Sequence, residues 1–244
     1  MTELAPDGRG ATSQDGQLQR YAAVIFDMDG VVGDTEHLWD RSWTAYCRGQ
    51  GAAWTHEDSV SLMGLSVPEW SAKLADHVNR PGDAEDAAAF CIDYIVEEVQ
   101  AGSAGLMPGG AELVRYAASR VPVALATSSA RPIITVLLQM GGLDNVFGAT
   151  VSSAEVPRGK PSPDVYLEAA RRIGVEGQPA IGVEDSANGI RAAHAAGLHV
   201  IAIPNRQFPP TPDALALADH VAADHADALA YLTLHLNGLP ACIR

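Results

Sequence analysis

The sequence predicts an α/β protein in which a doubly wound parallel sheet carries an inserted domain of α-helices. From Arg120 onward, short apolar runs alternate with segments of helical composition, a pattern typical of a parallel sheet covered on both faces. Residues 36–104 instead contain long amphipathic patterns and no convincing strand. Acidic and hydroxyl residues follow several of the apolar runs, and ligands bind at that end of the strands in such sheets.

The apolar runs predict five strands, at residues 21–25, 121–126, 149–151, 180–183 and 198–203. Between the later strands, helices are predicted at residues 131–140, 163–173 and 186–196. The insertion is predicted to contain helices at residues 36–48, 67–79 and 84–100, with Gly33 and residues 102–110 as linkers. We therefore expect a flexible tail at residues 1–19, a core at 20–34 and 105–244, and a helical domain at 35–104.

Composition excludes several classes of protein. A chain of 244 residues with 47% hydrophobic and 19% charged residues is globular. No apolar segment approaches the roughly 20 residues that a membrane span needs, and residues 1–19 lack the pattern of a signal peptide. The net charge of -14 disfavours nucleic acid as a partner. The three cysteines are widely spaced and odd in number, so no disulfide framework is predicted and the expected location is the reducing cytoplasm. We also expect a monomer or a weak homodimer.

The first predicted strand is followed by two carboxylates two residues apart, Asp27 and Asp29, and then by Gly30. Two negative charges held this close repel each other unless a positive charge lies between them. A divalent cation with oxygen ligands is therefore predicted at this strand end. The alternative interpretation is that both acidic residues form a turn with the glycine.

Three later strand ends add residues suited to phosphate chemistry. Thr127 and Ser128 offer hydroxyl and backbone N–H groups for phosphate oxygens, although an ordinary helix cap is an alternative. Lys160 lies between residues that restrict the backbone, so its ammonium is either a fixed cation or a solvated surface charge. Glu184 and Asp185 form a second acidic pair, and helix capping does not explain why such a pair recurs at another strand end.

The order of these motifs resembles that of the haloacid dehalogenase superfamily of phosphohydrolases. The branch it resembles has a helical cap after the first strand and includes sugar-phosphate phosphatases and beta-phosphoglucomutase. The matching segments are FDMDGVVGDTE at residues 26–36, LATSS at 125–129, GKPSPD at 159–164 and GVEDSANGIRAAHAAG at 182–197. The resemblance implies a Rossmann-like core, a cap at residues 35–104 and a small phosphorylated metabolite as the substrate.

The resemblance also implies a role for each site residue. Asp27 would attack phosphorus and form an aspartyl-phosphate, and Asp29 would act as the general acid and base. Thr127, the backbone of Ser128 and Lys160 would hold the phosphoryl group. Magnesium would be bound by four residues, with the last of them bound directly or through one water: Asp27, the backbone carbonyl of Asp29, Asp185 and Glu184.

Two positions separate the chain from the mutases of this branch. Those mutases carry a histidine twelve residues after the nucleophile, where this chain has Trp39, and a phosphate-binding arginine that aligns with Val67. Residues 36–104 also contain twelve acidic and only four basic residues, which suits a bisphosphate poorly. The sequence therefore predicts a magnesium-dependent phosphatase of a small phosphomonoester, such as a sugar or polyol phosphate. A hexose phosphate mutase is the alternative.

The four tryptophans all lie in the insertion, where most are expected to fill its core. Trp39, close behind Asp29, is predicted to pack on the substrate. A signalling protein is a further alternative, because receiver domains also combine a phosphorylated aspartate with acidic, hydroxyl and lysine side chains. In receivers, however, the acidic pair precedes the phosphorylated aspartate, whereas here the presumed nucleophile comes first.

Overall fold

The computed structural model describes residues 20–237, so the predicted tail at residues 1–19 lies outside the described residues. The strands are Val24–Phe26 (β1), Val123–Thr127 (β2), Ala149–Ser152 (β3), Ile181–Glu184 (β4), His199–Ala202 (β5) and His220–Val221 (β6). Each of the five predicted strands overlaps one of β1 to β5. The sequence does not predict β6, because a strand of two residues is too short to give a periodic pattern.

All strands of the sheet are parallel, and their spatial order is β3-β2-β1-β4-β5-β6. The chain builds outward from β1 in one direction with β2 and β3, and in the other with β4, β5 and β6. In such sheets, ligands bind outside the carboxyl end of the strand where the order reverses. The predicted fold class is confirmed, and the end of β1 is the position where a site is expected.

Alternate residues of β1 contribute to two hydrophobic clusters, one on each face of the sheet. Val24 and Phe26 belong to one cluster and Ile25 to the other, and all three side chains are fully buried. This explains why β1 is a continuous apolar run rather than an alternation of apolar and polar residues.

Five helices lie between β1 and β2, and the first four form the inserted cap. These four are Glu36–Gly49 (α1), His56–Leu62 (α2), Val67–His77 (α3) and Ala84–Gln100 (α4). The sequence predicts α1, α3 and α4 to within two residues at each end. It misses α2, which has only seven residues and begins with a capping box between Thr55 and Asp58.

The other helices of the described chain cover the sheet. They are Gly110–Ala118 (α5), Arg131–Met140 (α6), Asp164–Arg172 (α7), Ala187–Ala195 (α8), Pro212–Leu215 (α9) and His225–Leu236 (α10), with a short 3₁₀ helix at Ser153–Glu155. α7 packs on β1, β2 and β3, while α8 packs on β4 and β5. In the cap, α4 packs against α6. None of the helices within residues 20–237 has the length and apolarity that a bilayer crossing requires.

The two chain segments that join the cap to the sheet lie side by side. Gly33 forms β-bridges with both Asp29 and Leu106, and the Asp34 amide donates to the Gly105 carbonyl at 2.9 Å. A Cβ atom at residue 33 would lie 2.3 Å from the Leu137 Cδ2 atom. A side chain at residue 33 would therefore require Leu137 of α6 to move, which is a packing reason for glycine in addition to the linker flexibility inferred from the sequence.

Candidate active site

Side chains from three strand ends and one loop meet at the carboxyl edge of the sheet. Asp27 directly follows β1, Thr127 is the last residue of β2 and Glu184 is the last residue of β4. Lys160 lies in the loop between the 3₁₀ helix and α7, and its side chain reaches Asp27. Because all the strands are parallel, residues that are far apart in sequence come together at this edge.

The Lys160 ammonium is a fixed cation between two carboxylates. Its Nζ donates to Asp27 Oδ1 and to Glu184 Oε1, both at 2.6 Å, and the lysine side chain is 3% exposed. Burial alone would lower the pKa of Lys160, but attraction to Asp27 and Glu184 outweighs burial and raises that pKa above its ordinary value. The alternative of a solvated surface lysine is therefore excluded.

Three buried carboxylates form a candidate metal site beside Lys160. Asp27, Glu184 and Asp185 each offer an oxygen, and these oxygens all lie within 4.8 Å of one another. Burial, and then the charges of neighbouring carboxylates, raise the pKa of Asp185 well above its ordinary value. Burial also raises that of Asp27, against the opposing effect of Lys160. A buried, all-oxygen group of this kind fits a hard divalent cation, which would lower both pKa values.

Glu184 is held in place through both of its carboxylate oxygens. Oε1 accepts from Lys160 and from the Tyr166 hydroxyl, the latter at 2.6 Å. Oε2 accepts from the Asp185 amide at 3.1 Å and from the Ser186 hydroxyl at 3.2 Å. A Cβ atom at Gly189 would lie 1.9 Å from this carboxyl group, so α8 needs glycine there. Glu184 therefore links the lysine to the acidic loop that follows β4.

The Asp29 carboxylate lies apart from the three-carboxylate group and is surrounded by hydrogen-bond donors. Its Oδ2 accepts from Ser129 Oγ at 2.6 Å and from Thr127 Oγ1 at 3.4 Å. Its Oδ1 accepts from the Thr35 hydroxyl and from Trp39 Nε1, the latter at 3.3 Å. These donors come from the first turn of the cap and from the end of β2, so Asp29 lies where the cap meets the sheet.

The hydroxyl residues after β2 divide between the sheet and the cap. Thr127 is fully buried, and its Oγ1 accepts from the Ser129 amide at 3.0 Å. Ser128 Oγ donates to the Gly64 carbonyl of the cap at 3.4 Å. Ser128 and Ser129 both line the cavity of the site. Ser129, for which the sequence predicts no separate role, thus makes the shorter hydrogen bond to Asp29.

A cavity of about 50 Å³ lies between this edge of the sheet and the cap. Its sheet side carries charged and hydroxyl groups, while its cap side is mainly apolar and aromatic. The lining residues are Asp27, Asp29, Glu36, Trp39, Trp43, Leu62, Met63, Gly64, Leu65, Trp70, Ser128, Ser129, Lys160, Asp185 and Ser186. A cavity lined by apolar and aromatic side chains with a few convergent polar groups is typical of a small-molecule site.

A family model described as haloacid dehalogenase-like hydrolase matches residues 21–197. The chain belongs to this family. Among its relatives, a Drosophila melanogaster protein named probable pseudouridine-5'-phosphatase is 33% identical over 195 residues, covering 77% of this chain and 84% of the relative. Fructose-1-phosphate phosphatase YqaB of Escherichia coli is 32% identical over 184 residues, covering 75% of this chain and 96% of the relative.

A solved structure agrees with the family assignment. CbbY from Rhodobacter sphaeroides, in complex with xylulose-(1,5)bisphosphate, is similar to the chain with a TM-score of 0.73 and 27% identity, covering 85% of this chain and 96% of CbbY. Haloacid dehalogenase-like hydrolases use a divalent metal, and the buried group of Asp27, Glu184 and Asp185 fits one in this hydrolase.

Two residues of the hydrolase site have no predicted role in the sequence. The Asn205 amide donates to Asp185 Oδ2 at 3.2 Å and also to the Glu36 carboxylate. Burial and the neighbouring charge of Asp29 raise the pKa of Glu36 to about 8. Glu36 is the last residue of the matched segment at 26–36, so the sequence could have indicated that it belongs to the site. Asn205 lies in the loop after β5, outside every matched segment.

The two positions that distinguish this hydrolase from the mutases differ in their surroundings. Trp39 lines the cavity and is 7% exposed, and its indole N–H bonds to Asp29, a contact that the sequence does not predict. Val67 begins α3 and does not line the cavity. In this part of the chain the cavity is lined by the preceding residues, Leu62 to Leu65. Trp43 and Trp70 also line the cavity, and Trp54 packs on Trp43.

Proposed function

We propose that this hydrolase is a magnesium-dependent phosphatase of a small phosphomonoester, such as a sugar or polyol phosphate. The observation that carries the proposal is the Asp27 carboxylate, which lines the cavity while bonded at 2.6 Å to the buried ammonium of Lys160. A carboxylate in that position has an oxygen available for attack and a cation that offsets the charge of an incoming phosphoryl group.

In the proposed reaction, an Asp27 oxygen forms a bond to phosphorus while the bond from phosphorus to the leaving oxygen breaks. Asp29 donates a proton to that leaving oxygen, then takes one from the water that hydrolyses the aspartyl-phosphate. The four donors around Asp29 support this role, because they fix the carboxylate that has to transfer the proton. The products are the free alcohol and inorganic phosphate.

The phosphoryl oxygens are proposed to be held by Thr127, Ser128 and Lys160. Magnesium would be held by Asp27, Asp185 and the backbone carbonyl of Asp29. Since protein donors already engage both oxygens of Glu184, a contact through water suits that residue better than a direct one. The ion would supply positive charge that stabilises the phosphoryl group during transfer.

The other functions considered from the sequence have less support. A signalling receiver does not need a cavity between an inserted cap and the phosphorylated aspartate, whereas here cap residues and Asp27 line the same cavity. A hexose phosphate mutase needs cationic groups for a second phosphate, and Lys160 is the only basic residue that lines the cavity within the described chain.

The decisive variant is Asp27→Asn, which removes the nucleophile with little change in volume. We expect hydrolysis of p-nitrophenyl phosphate in the presence of Mg²⁺ to fall to background while the melting temperature shows that the variant is folded. Asp34→Asn is the matched control, because Asp34 is exposed and near the site. It should keep its activity. Comparable activity in both variants would reject the proposal.

Several wider properties are proposed with it. A screen for the substrate begins with pseudouridine 5'-phosphate and fructose 1-phosphate, the substrates in the names of two relatives. The cap is proposed to extend over residues 35–104. Buried free thiols at Cys47 and Cys91 support a reducing, cytoplasmic location. A monomer or weak homodimer that works without nucleic acid remains the prediction.

A further inference from the structure

Among the described residues, the cap contributes no basic side chain to the lining of the cavity. The apolar residues of the cap that line the cavity come from α1, α3, the end of α2 and the loop after it, and they are Trp39, Trp43, Leu62, Met63, Gly64, Leu65 and Trp70. We call this set the cap wall. Glu36, at the start of α1, lines the cavity as well, and as an acidic residue it supplies no positive charge.

The basic residues of the cap lie elsewhere. Arg41, Arg48, Lys73 and Arg80 are all exposed, and none of them lines the cavity. Arg41 is paired with Glu98 at 2.9 Å, and Arg80 with Asp83 at 3.3 Å. The acidic composition of the insertion is therefore not offset by cations at the site.

Lys160 is the one basic residue among those that line the cavity in the described chain, and it is already engaged. Its ammonium bonds to Asp27 and Glu184, and in the proposed reaction it serves the phosphoryl group that is transferred. A second phosphate or a carboxylate on the leaving group would lose its hydration against the cap wall without gaining a cation. Burying an unpaired charge in this way carries a large energetic penalty.

An uncharged leaving group avoids this penalty at the cap wall. Its apolar face gains free energy by packing on indole rings and aliphatic side chains. Its hydroxyl groups can donate to the carboxylate of Glu36, at the border between the cap wall and the acidic edge of the sheet.

We propose that the cap wall makes the enzyme selective for monophosphates whose leaving group is uncharged and has an apolar face. Esters that carry a second phosphate or a carboxylate are poor substrates. The inference rests on the proposed phosphatase function and deepens it, since it assigns the choice of substrate to charge at the cap wall.

The test compares pairs of esters that differ by one anionic group. Glycerol 3-phosphate is paired with 3-phosphoglycerate, and fructose 1-phosphate with fructose 1,6-bisphosphate. Each compound is assayed for phosphate release and as a competitor of p-nitrophenyl phosphate hydrolysis, so that binding is measured even where turnover is slow. We expect kcat/KM, or the inhibition constant, to favour the uncharged member of each pair at least tenfold, a difference of about 1.4 kcal/mol.

A charge introduced into the cap wall gives an independent test. Leu65→Lys places an ammonium in the wall, and Leu65→Gln is the neutral control of similar length. The lysine variant should shift the ratio of kcat/KM, or of the inhibition constants, between the two members of each pair at least tenfold toward the anionic member. The glutamine variant should leave this ratio unchanged.

The possible outcomes separate this inference from the proposed function. If Asp27-dependent hydrolysis of p-nitrophenyl phosphate is absent, the proposed function fails. If that hydrolysis is present and the wild-type enzyme treats both members of each pair alike, or prefers the anionic member, only the selectivity of the cap wall is overturned. An equal shift of the anionic-to-uncharged ratio in Leu65→Lys and Leu65→Gln also overturns the inference about the cap wall.

Discussion

Both edges of the sheet gather ionisable side chains, buried at one edge and mostly half-buried at the other, and the two groups differ in almost every other respect. The carboxyl edge holds Asp27, Lys160, Glu184 and Asp185, which we call the acidic edge. The amino edge holds a second group around the starts of β5 and β6 and the helix α10, which we call the ring edge: Tyr21, His199, His220, Tyr231 and His235.

The rings of the ring edge lie in contact with one another. The His220 and Tyr231 rings lie 4.0 Å apart with 7° between their planes, and a nitrogen of His199 lies 2.9 Å from the Tyr231 hydroxyl. None of the five ring-edge residues lines the cavity at the acidic edge. The acidic edge instead combines like charges, one cation and adjacent space. A cluster of titratable residues is therefore a candidate site only where space and unbalanced charge accompany it.

After Asp27→Asn, the largest expected effect comes from Asp29→Asn. The carboxamide cannot transfer a proton, and its NH₂ group would face hydroxyl and indole donors that now bond to a carboxylate. We expect kcat for p-nitrophenyl phosphate to fall by about 10²–10⁴-fold, the usual contribution of a general acid or base. Steady-state kinetics with saturating Mg²⁺ measure this, and a change of less than about tenfold would remove Asp29 from its proposed role.

The next effect is on stability. Lys160→Met leaves Asp27 and Glu184 facing each other without a cation, so the free energy of unfolding should fall by about 3–5 kcal/mol. Urea denaturation in EDTA at neutral pH measures the loss, and added Mg²⁺ should restore part of it. Lys73→Met, at the other lysine of the chain, lies on the exposed face of α3 and should stay within about 0.5 kcal/mol of wild type. Similar losses in both variants would show that the buried ion pair is not what stabilises this edge.

A smaller effect is expected from Tyr166→Phe, which removes only the hydroxyl that bonds to Glu184. Hydrogen bonds to charged groups contribute about 1.5–3 kcal/mol, so the free energy of unfolding should drop by that amount. The Mg²⁺ concentration at half-saturation, followed by tryptophan fluorescence, should rise because Glu184 is less well fixed.

Tyr116→Phe provides the control for that variant, since its hydroxyl donates to Asn237 at 3.3 Å on the surface. It should change the free energy of unfolding by about 0.5 kcal/mol or less and leave Mg²⁺ binding unaltered. If Tyr166→Phe behaves in the same way, the Tyr166 hydroxyl does not position Glu184.

The smallest effect concerns the ring edge. Burial lowers the pKa of His199 below 6.5, Asp219 opposes that shift, and His235 and His220 add to it. The unfolded chain therefore binds a proton more readily than the folded one. This contribution to stability is fully present above pH 6.5 and is lost as the pH falls below it toward the folded pKa.

The melting temperature should accordingly decline on acidification below pH 6.5, and His199→Gln should flatten part of that decline. At neutral pH the same variant should keep the wild-type kcat, because residue 199 lies at the opposite end of the strands from Asp27. An unchanged pH profile in the variant would assign the decline to other groups.

The sequence predicts the acidic edge well for a simple physical reason. Asp27, Thr127 and Glu184 each follow or end a strand, and parallel strands bring their carboxyl ends to one edge. For Lys160 the sequence leaves a fixed cation and a solvated surface charge as alternatives, because its loop has no periodic pattern, and the family resemblance favours the fixed cation. Their chemical roles remain predictions.

Other features depend on tertiary approach and leave little trace in local sequence. Tyr166 looks like an ordinary core residue of α7, and its hydroxyl matters only because Glu184 lies beside it. Asn205 reaches Asp185 from the loop after β5. The close contact at Gly33 is made by Leu137, more than a hundred residues later in the chain. The ring edge likewise forms because β5, β6 and α10 converge, although the histidines have no recognisable spacing.

The pairing of Gly33 with Leu106 has a consequence for how such an enzyme can be altered. The helical insertion leaves and re-enters the core at neighbouring points, because the two connecting segments pair with each other. The insertion can therefore be regarded as a replaceable segment whose two ends lie side by side. A replacement segment would have to match this short junction and the surface of α6 that receives α4. The reacting groups of the sheet could then be kept while a single continuous stretch of chain is exchanged to give the enzyme a new substrate.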